Sequence, residues 1–68
     1  MKLTKINSSS IEALGYDPKP KQMQVMFKNN ALYQYENISP EEYNSILNSP
    51  SAGAKLKEVV KGKAFNKL

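Results

Sequence analysis

The sequence has no cysteine, no histidine, no tryptophan and no arginine among its 68 residues. Without cysteine there is no disulfide and no thiolate zinc site. Without histidine the chain lacks the commonest general base and the commonest metal ligand, and no metal or cofactor is expected. Because every basic residue is lysine, no guanidinium fork is present for bidentate recognition of phosphate or guanine. The longest apolar runs, Val25-Met26-Phe27 and Ala31-Leu32-Tyr33, are three residues each. Neither a transmembrane helix nor a secretory leader is expected from runs so short. These absences point to a reduced, cytoplasmic, soluble protein with no membrane partner. Glycine is also sparse: Gly15, Gly53 and Gly62 match neither phosphate-loop fingerprint.

What is present fits one small domain spanning residues 1–68. At this length folding hides only about 60% of the unfolded chain's surface, which makes a deep active site improbable. A hydrophobic content of 40% is nonetheless too high for a disordered chain. The charge is unevenly placed. Residues 1–54 carry five lysines and five acids, whereas residues 55–68 carry five lysines against Glu58 alone, the whole of the net +4. A lysine-rich end of this kind suits an anionic partner, although it also serves solubility by itself.

Hydrophobic spacing gives the elements. A first strand is expected over Ser10 to Tyr16, bulged near Gly15, and Asp17-Pro18-Lys19-Pro20 must turn because proline removes ladder donors. Met23, Val25 and Phe27 alternate with polar residues, as in a half-buried strand. A second alternating run covers 31–36. A three-residue turn with Asn30 left-handed pairs Val25 with Tyr33 and Met23 with Tyr35, gathering five apolar or aromatic groups on one face. Burial favours that register over a two-residue turn. Ser39-Pro40-Glu41-Glu42 is a helix start with N-cap, proline in the first turn and capping box, followed by the stripe Tyr43, Ile46 and Leu47. Ser49-Pro50 ends that helix. Ser51 is positioned to cap a second helix with stripe Leu56, Val59 and Val60, and Gly62 to stop it. The expected fold is α+β: a three-stranded antiparallel meander covered on one face by two short helices.

Of the catalytic arrangements only a Ser–Lys dyad is available to this composition, and nothing in the sequence singles out one serine–lysine pair. Nucleophilic triads need a base that is missing here, and Glu41-Glu42 are accounted for by the helix dipole. A non-catalytic binding module is therefore expected. Two features are candidates for its site. Tyr33 and Tyr35 can stack nucleobases, or they can be core and rim residues beneath the helices. Lys55, Lys57, Lys61 and Lys63, near the helix start at Ser51 and Gly53, can attract phosphate, or they can form an ordinary solvated face. On the opposite sheet face, Met26 and Leu32 interrupt a polar surface and are candidates for a protein contact, including a second copy of the chain.

The series Ser8-Ser9-Ser10-Ile11, Leu14-Gly15-Tyr16-Asp17, Val25-x-Phe27-Lys28-Asn29, Tyr33-x-Tyr35, Ile38-x-Pro40 and Ser51-x-Gly53 resembles the KTSC domain. That family is named for its occurrence at the C-terminus of some lysyl-tRNA synthetases, and it also forms stand-alone bacterial and phage proteins. The likeness covers residues 7–65. Asn30 stands where the family often has glycine, and Ala54 and Leu56 fall in a stretch that is usually aromatic. The resemblance implies no fixed activity. Its synthetase context suggests RNA, and the residues it implicates are Tyr33, Tyr35, Ser51 and Gly53. The leading expectation is an RNA- or nucleotide-binding module using the lysine-rich C-terminal helix. The alternative is a protein-interaction module, such as a phage factor that occupies a host protein or a sponge for a nucleotide signal.

Overall fold

The computed structural model describes residues 2–68. Among these, the sheet has five strands in the order β1-β2-β3-β4-β5, every neighbouring pair antiparallel. They are β1 (Thr4–Lys5), β2 (Ile11–Asp17), β3 (Gln22–Phe27), β4 (Leu32–Tyr35) and β5 (Phe65–Lys67). The central meander is the one expected, but the sheet has five strands rather than three. The two additions are edge strands too short to show a periodic pattern, and β5 is exposed throughout. Its pairing of Tyr33 with Lys67 and Tyr35 with Phe65 joins segments that are remote in sequence.

The β3–β4 register is the one burial favours: Val25 lies opposite Tyr33 and Met23 opposite Tyr35. The turn closes with Asn30 N–H donating to Phe27 O and Phe27 N–H donating to Ala31 O, both at 2.9 Å, with Asn30 at φ 69°. The bulge in β2 falls between Ile11 and Ala13, not near Gly15 as the alternation suggested. The extra residue, Glu12, lets Ile11 and Leu14 both reach the core with 0% exposure.

Helix α1 (Pro40–Leu47) begins as its sequence dictates. Glu42 N–H donates to Ser39 Oγ at 3.1 Å, and Ser39 N–H donates back to the Glu42 carboxylate at 2.9 Å. Ile46 is fully buried, but Leu47 is 41% exposed, so the stripe is narrower than the i, i+3, i+4 spacing suggested. Helix α2 (Ala52–Val60) has Ser51 as N-cap residue, yet the Ser51 side chain makes no capping bond. Gly62, at φ 80°, then redirects the chain into β5. The core between helices and sheet is Ile11, Leu14, Met23, Val25, Tyr35, Ile38, Ile46 and Leu56. Among the described residues no helix is long and apolar enough to cross a membrane.

Candidate nucleotide-binding groove

Helix α2 does not lie flush on the sheet along its whole length. Its residues Gly53, Leu56, Lys57 and Val60 follow helical spacing and form one wall of a groove of about 560 Å³. Phe27, Tyr33, Tyr35 and Phe65 form the other wall, with Ser10, Asn29, Ala31 and a second lysine, Lys67, completing the lining. That volume lies within the range of small-molecule sites, about 300–1,000 Å³.

The aromatic wall is continuous. Phe27 meets Tyr33 edge-on at 5.6 Å between ring centroids, Tyr33 and Tyr35 lie nearly parallel at 6.3 Å, and Phe65 is tilted 5.9 Å from Tyr33 and 5.8 Å from Tyr35. Strand alternation puts the two tyrosines on one face, and β5 brings Phe65 beside them. Tyr35 is 9% exposed, and burial, with a smaller effect of Tyr33, pushes its phenol above the ordinary tyrosine range. It is therefore a neutral hydroxyl at physiological pH. Tyr33 is half-buried. The core-and-rim alternative thus describes Tyr35, while Tyr33 contributes ring surface to the groove on the helix-covered face. The open sheet face carries neither.

A second hollow of about 440 Å³ adjoins the first, lined by Asn7 to Ser10, Pro50 to Ala54 and Lys57. The hollows share Ser10, Gly53 and Lys57. Ser8 Oγ organises its floor by accepting from Ser10 N–H at 3.3 Å and Ile11 N–H at 3.2 Å. Neither lining contains an aspartate or a glutamate. The acids are elsewhere: Glu12 pairs with Lys28 and Lys5 across the outer face, and Glu36 accepts from Gln22 and Gln34 there. Among the described residues no three acidic side chains converge as a metal site would need.

The sequence candidates divide on this geometry. Tyr33, Tyr35, Gly53 and Lys57 meet at the groove, and Ser51 faces the adjoining hollow. Lys55 lies off the groove and pairs with Glu58 at 3.5 Å. Lys61 is exposed at the end of α2 and lines neither hollow. Lys63 is committed to structure, donating to Asn37 O at 2.9 Å and pairing with Glu42 at 3.4 Å. Sequence reasoning missed Phe65, Lys67 and Ser10. The 53/56/57/60 spacing overlaps the core stripe 56/59/60, which masks it in the sequence. Met26 and Leu32 are cross-strand neighbours on the outer face, both half-buried beside the bonded Gln24–Gln34 pair.

Comparison with known proteins adds the family. The model of the KTSC domain matches residues 7–65. An uncharacterized protein of Stutzerimonas stutzeri is 39% identical over 61 residues, covering 90% of this chain and 86% of its own. A protein of Tsukamurella paurometabola is 36% identical over 56 residues, covering 82% and 84%. The crystal structure of a KTSC domain protein from Yersinia pestis superposes with a TM-score of 0.92 at 25% identity, covering 98% of this chain and 96% of that one.

Proposed function

The chain belongs to the KTSC domain family, and on that premise we propose that it is a non-catalytic module that binds a nucleotide unit, free or within RNA, in the groove between α2 and β3–β4–β5. One observation carries this reading: an aromatic and aliphatic groove flanked by Lys57 and Lys67 with no carboxylate in its lining. Such a site suits a ligand with a flat apolar part and a negative charge. Base–aromatic stacking contributes about 1–3 kcal/mol per base and tolerates any base. The lysines supply attraction to phosphate without base-specific readout. Lys57 is the member of the lysine-rich helix that lies where the aromatic surface lies.

The test is titration with a short oligoadenylate, read by tyrosine fluorescence. Two lysines at the groove give a salt slope of about −1.4 for a single strand, so affinity falls about sevenfold between 50 and 200 mM salt. Unchanged tyrosine emission at saturating oligonucleotide, or no binding at low salt, contradicts the reading.

A further inference from the structure

We infer that the groove prefers an oxo-purine, guanine or hypoxanthine, to adenine, and that the Asn29 side-chain amide makes the distinction. The inference rests on the nucleotide reading above and specifies the base.

Stacking on the aromatic wall is indifferent to which base is present, so a preference has to come from polar groups beside the rings. Where the β3–β4 turn meets the start of β2, Ser10, Phe27, Asn29 and Ala31 line the groove. Their carbonyl acceptors are engaged. Phe27 O accepts from Asn30 N–H and Ala31 O accepts from Phe27 N–H, both at 2.9 Å, and Ser10 O accepts from Lys28 N–H at 3.0 Å. Asn29 Oδ1 is engaged as well, accepting from Ala31 N–H at 3.0 Å. A backbone N–H can only donate, so this bond fixes which way round the amide lies. Asn29 is exposed, and its Nδ2 group keeps its protons for a ligand.

The other polar side chains in the lining do not redress this balance. Lys57 and Lys67 only donate, and no carboxylate is present to accept. Ser10, Tyr33 and Tyr35 carry hydroxyls, which donate or accept as a ligand requires. An asparagine with both ends free suits adenine, because Oδ1 takes an N6 proton while Nδ2 donates to N7. With Oδ1 held by the turn that pairing is lost, and Nδ2 against the adenine amino group sets donor against donor. Guanine presents two acceptors on the same edge, O6 and N7, and hypoxanthine shares both. An amide that can only donate matches that edge.

The experiment titrates the intact protein with GMP, IMP and AMP by isothermal calorimetry at one low salt concentration, alongside Asn29→Asp and Asn29→Ser checked for folding by thermal melting. Both variants keep an oxygen that can accept Ala31 N–H, so the turn is retained while the amide donor is removed. GMP and IMP should each bind about fivefold more tightly than AMP, the scale of one exposed hydrogen bond gained against one donor clash. IMP isolates the edge, because it carries O6 and N7 without the N2 amino group of guanine. The IMP-to-AMP preference should vanish in Asn29→Ser. In Asn29→Asp every nucleotide should bind more weakly, since a carboxylate has entered the groove, and the preference should vanish or reverse towards AMP. Equal affinities for the three nucleotides, tighter binding of AMP, a preference for GMP that IMP does not share, or a preference unmoved by both substitutions overturns the role of Asn29 and leaves the groove reading intact. No binding of GMP, IMP or AMP overturns the groove reading itself.

Discussion

Lys63 Nζ donates to the backbone carbonyl of Asn37 at 2.9 Å, tying the segment after α2 to the turn that follows β4. The same ammonium lies 3.4 Å from the Glu42 carboxylate in the first turn of α1. Beyond Lys63 the chain runs directly into β5, whose Phe65 forms part of the groove wall. Lys63, a candidate for phosphate attraction on its sequence, is thus a fastening for the strand that shapes the groove.

Lys63→Met should cost about 1 kcal/mol in urea unfolding, the scale of a charge-assisted bond discounted for partial exposure. It should also speed hydrogen exchange at Leu68, whose N–H donates to Leu32 O at 2.8 Å. Unchanged exchange there would mean that β5 is secured by its own pairing alone.

Acid sensitivity follows from the same cluster. The Ser39 backbone N–H, and more weakly Lys63 and the Ser39 hydroxyl, hold the Glu42 carboxyl below its ordinary range against an opposing effect of burial. A folded pKa below the unfolded one means stability that is fully present above the unfolded value, about 4.3, and lost as pH falls through the folded value. Glu12, lowered chiefly by its bond to Lys28, acts in the same direction. Glu42→Gln should flatten the loss of melting temperature between neutral pH and pH 3. An acid limb as steep as the parent's would contradict this.

At Asn30, with φ 69°, alanine meets the left-handed penalty of about 1 kcal/mol. Asn30→Ala should therefore lower stability by about that amount in chemical denaturation, and Asn30→Gly should be at least as stable as the parent. Equal stability of the alanine variant would mean that the turn relaxes to another type.

Two leucines that occupy similar stripe positions should behave differently. Leu56 is 2% exposed and Leu47 is 41% exposed. Leu56→Ala should cost about 3 kcal/mol, a large share of the stability of so small a domain. Leu47→Ala should stay within about 0.5 kcal/mol of the parent. Urea midpoints compare them directly.

Local chemistry was legible and long-range closure was not. The Asn30 turn, the Ser39–Glu42 capping box and the Val25–Tyr33 register each follow from neighbouring residues and the burial of one face. Gly15 is the more conspicuous residue for a bulge, but the need to bury both Ile11 and Leu14 fixes it at Glu12. Strand β5 has three exposed residues and one large apolar side chain, so nothing local marks it. It exists because the helical pair returns it to β4. The groove was half-visible for the same reason: Tyr33, Tyr35, Gly53 and Lys57 could be named, but Phe65 and Lys67 arrive only with β5.

The central claim, that the groove under α2 takes a nucleotide, is tested most directly by mapping ¹H–¹⁵N amide shifts of the protein on adding AMP at low salt. The account predicts saturable shifts concentrated at Tyr33, Gly53, Lys57 and Phe65, with Gln24 and Gln34 on the outer face unmoved. No shifts at millimolar AMP, or shifts centred on Gln24, Met26 and Leu32, would contradict it.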